Sequence, residues 1–400
     1  MSEFKDTLLI KTLCDLIKCR SITPSDDGAI VYIDNFLQKL GFSCDVQEFS
    51  SKKDNNGKEE LEKVLNLYAV KTFNQGLNLC FAGHVDVVHP GKEYKWTYPP
   101  FEPTIENGLI YGRGTSDMKG SIAAFLTALH ELVVKDCYEP KGSISFLITG
   151  DEEGSGENGT KKMLQYLKAK NISIDDCIVG EPTNPDFVGQ MVKNGRRGSA
   201  TFFLEIEGNQ GHIAYKQNFA NPIDAMSQII CKLKSHVFDE GNDFFEPTNL
   251  EFFKVSSDSG STNVVPQSAH CGFNIRFSSE HKSADVIDAV NLIVKNSIEG
   301  LTQIYTYTLT HKVSGESFLT SPDTHLAKSI VDAVFNVCGQ KPVLSTSGGT
   351  SDARFIKNYA RVIEFGSVNK TAHQIDENED IEGLVKLKNI YKTFIVKYFS

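Results

Sequence analysis

The first residues of the chain set a helical rhythm. Leu8, Leu9, Leu13, Leu16 and Ile17 recur at the spacing of one helix face, so residues 4–20 are predicted to form an amphipathic helix. A second helix is predicted over 28–40. Residues 51–63, SKKDNNGKEELEK, are polar and charged and read as an exposed loop or insertion. Short apolar runs follow at 66–73 and 77–83. A helix is predicted from Lys119 to Val134, and further apolar runs fall at Gly142–Thr149 and up to Ile178–Val179. This alternation predicts an α/β layered fold.

The pattern changes near Gly198. Over 199–207 the side chains alternate strictly, with Ala200, Phe202, Leu204 and Ile206 on one face and Thr201, Phe203, Glu205 and Glu207 on the other. That is a half-buried strand. A helix at 222–235, strands near 249–256 and 268–278, a helix near 282–297 and a strand near 302–310 complete an open sheet with helices on one face. After about residue 312 the α/β pattern returns, with helices at 323–337 and 379–397. A small α+β domain inserted into a larger α/β domain accounts for the change. No internal repeat or low-complexity tract interrupts it.

Length and charge narrow the picture. A chain of 400 residues suits two domains better than one core. A formal net charge of −10 disfavours a nucleic-acid partner but suits a metal cation, or a small substrate held by local arginines. The cysteines, 9 in all, include no CxxC pair and read as reduced thiols of a cytoplasmic protein. Charges at Glu3, Lys5, Asp6 and Lys11 break any signal-peptide h-region. No apolar run approaches the roughly 20 residues of a membrane span.

Candidate chemistry collects where predicted strands end. LNLCFAGH is followed by Val85 and Asp86, so His84 and Asp86 point to one side of an extended chain. Such a carboxylate can fix the histidine tautomer for metal binding, although HxD alone is equally a surface turn. Asp117, in YGRGTSDMKG, either caps the next helix or presents a carboxylate to a cation. Asp151, Glu152 and Glu153 follow the strand ISFLITG, with glycines beyond them, and Glu181 follows another strand in Gly180-Glu181-Pro182. Adjacent acids are commonly a solvated turn. At several strand ends together with His84 they form a constellation. Two zinc ions need imidazole and carboxylate ligands, one shared acid and one free acid. His84, Asp117, Glu153, Glu181 and a distant histidine supply the ligands, and Glu152 remains as the base. His373, after RVIEFG and before the last helix, suits the distant position. The same donors accept cobalt or manganese. His212, in GNQGHIAY, is open to either a functional or an incidental reading from its residues alone.

The segments FAGHVDVVHPG, YGRGTSDMKG, DEEGSGENGT, GEP, KNGRRGS, GHIAY, STNVVP, NIRF and SGGTSDARF span nearly the whole chain. Together they resemble the di-zinc metallopeptidase family of aminoacylase, acetylornithine deacetylase and carboxypeptidase G. His89 departs from it, standing where a second proline often precedes Pro-Gly. The resemblance implies a catalytic domain of mixed sheet with helices on both faces over 1–197 and 312–400. It implies an inserted, ferredoxin-like dimerisation domain over 198–311. One zinc would be held by His84 and Glu181, the other by Glu153 and His373, with Asp117 bridging. Asp86 would orient His84, Glu152 would be the general acid/base, and His212 would reach the active site of a partner subunit in a homodimer.

NGRRGS, DEEGSGENGT and SGGTSDARF point to the branch that removes succinyl groups. The implied reaction is hydrolysis of N-succinyl-LL-2,6-diaminopimelate to succinate and LL-2,6-diaminopimelate, in lysine and diaminopimelate synthesis. A substrate with several carboxylates needs cationic clamps, and Arg196, Arg197 and Arg276 are the natural ones. Ser199, Tyr215 and Asn263 offer neutral hydrogen bonds, and the Ser347-Gly348-Gly349-Thr350 turn offers backbone N–H groups. Two other readings stand beside this one: a deacetylase of acetylornithine or another N-acyl amino acid, and a non-catalytic metal-binding protein on the same fold.

Overall fold

The computed structural model describes residues 7–55 and 58–400. Its chain divides into two compact units, Met1–Asn194 with Thr320–Ser345 and Ser351–Ser400, and Gly195–Leu319 with Thr346–Thr350. Residues 4–6 of the expected first helix lie outside the described residues.

The first unit is built on an eight-stranded mixed sheet. Its order is Ser43–Asn55, Lys58–Thr72, Gly142–Thr149, Leu77–His84, Asp176–Val179, Arg361–Glu364, Met191–Lys193 and Val343–Ser345. The strands Gly142–Thr149, Leu77–His84, Asp176–Val179 and Arg361–Glu364 run parallel, while Lys58–Thr72 joins antiparallel. Parallel strands are buried on both faces, which is why their sequences are continuous apolar runs. Phe81 stacks on Phe125 of the helix Gly120–His130 at 4.3 Å and meets Phe146 of the neighbouring strand at 5.9 Å. That helix packs on the helices Thr7–Lys18 and Ile381–Tyr398, and the last of these packs on His325–Cys338. On the opposite side of the sheet, the helix Thr160–Ala169 contacts Gly142–Thr149. None of the described helices is long and apolar enough to cross a membrane.

The loop expected at 51–63 is instead part of a hairpin. Ser43–Asn55 and Lys58–Thr72 pair in register from Ser43↔Val70 to Asn55↔Lys58. The polar stretch forms strands because a partner strand satisfies its backbone, with no apolar face required; residues 56 and 57 lie outside the described residues. Across the hairpin, Lys63 pairs with Glu48 at 2.8 Å.

The second unit is a four-stranded antiparallel sheet in the order Asn249–Ser257, Ser268–Phe277, Gly198–Glu207, Thr306–Gly315. The helices Pro222–Ser235 and Ser283–Glu299 cover one face. The strand–helix–strand–strand–helix–strand order, with the first and third strands central, is ferredoxin-like. Phe202, Leu204, Phe273 and Ile275 form its core with Ile229, Val286 and Val290. The last strand begins at Thr306 rather than near 302, because Leu301 and Tyr305 pack on that core from the preceding loop. The unit extends past the expected 198–311 because Phe318–Leu319 pairs with Gly195–Arg196.

Candidate active site

Three neighbouring parallel strands deliver side chains to one place in the first unit. His84 ends Leu77–His84, Glu152 and Glu153 follow Gly142–Thr149, and Glu181 follows Asp176–Val179. This is the carboxyl end of the sheet, where ligands of open α/β folds gather. Asp117 arrives from the segment before Gly120–His130, where Asp117 and Met118 leave helical geometry. Met118 is pressed against the glycines that precede two of these acids and bases. A Cβ at Gly83 would lie 2.4 Å from Met118 Cε, and one at Gly180 would lie 2.6 Å from it. These two glycines therefore let Asp117 seat against the strand ends.

The Asp117 carboxylate stands between the two histidines. Oδ1 lies 3.1 Å from His84 Nε2 and Oδ2 lies 3.1 Å from His373 Nε2. Glu153 Oε1 is 2.7 Å from His373 Nε2, and Glu181 Oε1 is 3.9 Å from His84 Nε2. His84 with Asp117 and Glu181, Asp117 with Glu153 and His373, and His84 with Glu152 and Glu153 are each sets whose donor atoms lie within 4.8 Å of one another. These sets contain imidazoles and carboxylates and no thiolate, a donor chemistry that fits zinc, cobalt or manganese.

Asp86 is fully buried and acts through two routes. Its carboxylate accepts the backbone N–H groups of Glu152, at 3.2 Å, and Glu153, at 3.1 Å. Its backbone carbonyl, at 2.9 Å, is the group nearest His84 Nδ1, while its carboxylate is 3.7 Å away. With Nδ1 donating to that carbonyl, Nε2 is the nitrogen left to face Asp117 and Glu181.

The electrostatics are those of crowded acids. Burial pushes Glu152 up to about 8, and the neighbouring Asp352, Glu153 and Asp117 add to the effect. Burial, with Asp117 and Glu152, pushes Glu181 well above the usual carboxylate range. Burial would raise Asp117 too, but hydrogen bonds from His373 and His84 hold it well below that range. Those to Asp117 and Glu153 push His373 up to about 10. Protonated imidazoles thus balance carboxylates that a divalent cation would balance better.

The expected substrate contacts all fall in the second unit. Arg196 Nη1 donates to the Ser347 carbonyl at 3.1 Å, which fixes the Ser347–Thr350 turn against that arginine. Arg197 Nη1 donates to Asn249 Oδ1 at 2.9 Å. Burial and the like charges of Arg197 and Arg196 pull Arg276 below the usual arginine value. Ser199 Oγ accepts from Asn274 Nδ2 at 3.2 Å. His212 pairs with Val264, and Ile213 donates to the Asn263 carbonyl at 3.1 Å, which brings His212, Tyr215 and Asn263 together. His212 Nδ1 accepts the Ala214 N–H at 3.1 Å, so the neutral ring carries its proton on Nε2.

The structure adds residues that sequence reasoning passed over. Glu377 is fully buried and accepts the backbone N–H groups of Gly114, Ser116 and Asp117. Arg113 Nη1 donates to it at 2.6 Å. Asp352, also buried, adds its charge to those that raise Glu152. Arg113 and Asp352 lie inside quoted motifs, but Glu377 sits in the acidic run IDENED and carries no such signal.

The fold and this cluster are those of a metallopeptidase class, and sequence comparison agrees. The family model for peptidase family M20/M25/M40 matches residues 80–397, and the chain belongs to that family. It is 44% identical over 384 residues to the succinyl-diaminopimelate desuccinylase of Wolbachia pipientis subsp. Culex pipiens (strain wPip), covering 96% of this chain and 92% of that one. It is 43% identical over 401 residues to the succinyl-diaminopimelate desuccinylase of Pelagibacter ubique (strain HTCC1062), covering 100% of both. Among solved structures, the Bacillus subtilis YXEP protein, described as a dinuclear metal binding peptidase of the M20 family, matches with a TM-score of 0.69 at 15% identity. That match covers 100% of this chain and 99% of that one.

Proposed function

We propose that the chain hydrolyses N-succinyl-LL-2,6-diaminopimelate to succinate and LL-2,6-diaminopimelate, a step of lysine and diaminopimelate synthesis. The observation that carries the chemistry is the Asp117 carboxylate, 3.1 Å from an imidazole on either side. The substrate rests on the full-length relatives at 43–44% identity, which bear the desuccinylase name.

In this reading His84 and Glu181 would hold one zinc ion and Glu153 and His373 another, with Asp117 contributing to both sets. Bound there, the pair would polarise the amide carbonyl and acidify a water. Glu152 takes the proton of the attacking water and returns it to the departing amine. Its elevated proton affinity suits that exchange. Asp86 holds the turn that carries Glu152 and Glu153, and sets His84 through its backbone carbonyl. His212 of a partner subunit donates from Nε2 to the oxygen that gains charge in the tetrahedral intermediate. Arg196, Arg197 and Arg276 pair the substrate carboxylates, and their mutual repulsion favours an anion among them. Ser199, Tyr215, Asn263 and the Ser347–Thr350 turn complete the contacts.

The second unit, expected over 198–311 and observed as Gly195–Leu319 with Thr346–Thr350, is proposed to dimerise. Phe203 and Phe253 support this, lying exposed with ring centroids 6.0 Å apart on the sheet face away from the helices. A cytoplasmic setting fits the free cysteines. The test is metal titration of chelator-stripped protein while succinate release is followed. Activity should be absent before metal and rise to a plateau at two equivalents per chain. Full turnover without metal would refute the mechanism.

A further inference from the structure

We infer that the buried Glu377–Arg113 pair is a positioning device that sets metal affinity in the site formed by Asp117, Glu153 and His373; this rests on the metal-centre reading above. Neither residue belongs to the donor sets. Both instead act on the two chain segments that carry ligands.

Glu377 Oε1 accepts the N–H groups of Ser116 at 2.9 Å and Asp117 at 3.1 Å. Its Oε2 accepts the Gly114 N–H at 3.1 Å and Arg113 Nη1 at 2.6 Å. One carboxylate on the His373 segment thus holds the backbone on which Asp117 rides. That backbone is irregular, with Asp117 at φ −124 and ψ 98, and the Ser116 and Asp117 N–H groups go to Glu377. The reciprocal contact runs the other way. Arg113 Nη2 lies 3.5 Å from the carbonyl of His373, a residue in the left-handed region at φ 63. Trp96 covers the guanidinium at 5.1 Å, which keeps the pair in place. Ser116 Oγ donates to the Val368 carbonyl, and Ser367 Oγ donates to the Ser116 carbonyl at 2.6 Å, so the same segments are tied at a second point. The pair therefore fixes the separation of Asp117 and His373. A carboxylate and an imidazole that must share one ion are sensitive to that separation.

A purely structural pair would change stability and leave ligand geometry alone. Calorimetric titration of stripped protein with zinc, and the visible spectrum of the cobalt-loaded protein, separate the two cases. Glu377→Gln keeps the shape but loses one acceptor and the charge that balances Arg113. Glu377→Asp keeps the charge and withdraws the oxygens by one methylene, so it is read if the first variant does not fold. The unsubstituted chain should take up two ions. The folded variant should bind one ion as before and the other about 10–100-fold more weakly, with an altered cobalt spectrum. A folded variant with both affinities and the spectrum unchanged overturns the inference alone. An unsubstituted chain that takes up no ion overturns the metal-centre reading and this inference with it.

Discussion

Glu152 sits beside the candidate ligands His84 and Glu153. It follows the buried strand Gly142–Thr149, its backbone N–H is held by Asp86, and burial pushes its carboxyl up to about 8. In our reading it moves a proton and leaves the ligand positions to its neighbours. Glu152→Gln should therefore keep its metal content, checked by elemental analysis, while kcat falls by roughly 10²–10⁴. Retained activity would remove Glu152 from the mechanism. Far from the site, Glu131 meets Lys388 at 2.9 Å and Lys135 at 3.4 Å. Burial alone would raise its carboxyl, but these lysines hold it below the usual value of 4.5. A depressed folded pKa contributes stability above the unfolded value and loses it as pH falls through the folded one. Glu131→Gln should cost about 1–2 kcal/mol near neutral pH, and the deficit should shrink as pH falls below the usual carboxylate value in urea unfolding.

The strand Leu77–His84 links the core to the chemistry. Its Phe81 ring meets Phe125, Phe146 and Tyr391, so the strand end that carries His84 is fixed by packing on three sides. Phe81→Ala should destabilise by about 3–5 kcal/mol in denaturant unfolding, because the rigid surroundings cannot collapse into the gap. Elements of this kind are legible in sequence: a continuous apolar run, then His84 or an acid where it stops. Most helices were equally legible from their 3.6-residue rhythm, but Thr160–Ala169, a short helix with few apolar positions, was not predicted. Residues 51–55 and 58–63 were not legible either, because a stretch almost wholly polar shows no period, and its two arms pair with each other, from Ser51↔Glu62 to Asn55↔Lys58. Glu377 was illegible for a related reason. Its acidic run looks like solvated surface until Arg113 and three backbone N–H groups, from a segment about 260 positions away, are brought to it. The Asp86 contact to His84 also needed coordinates, since spacing alone cannot distinguish a carboxylate from its own carbonyl.

At the scale of the molecule, chemistry and specificity are in our reading divided between two units. The first carries His84, Asp86, Asp117, Glu152, Glu153, Glu181 and His373, and the second carries the arginines and His212. Metal that binds only the folded first unit should stabilise it by mass action. Chelation should lower its melting temperature, and zinc or cobalt should restore it in calorimetry. If the second unit dimerises, sedimentation should give twice the chain mass of 44.3 kDa, and Phe253→Asp should reduce it to one. Acyl preference tests the functional reading most directly. Zinc-loaded protein is assayed for amine release from N-succinyl-LL-2,6-diaminopimelate and, in parallel, from N-acetylornithine. Strong preference for the succinyl substrate is the predicted result. Preference for the acetyl substrate would keep the metal chemistry and contradict the assigned substrate.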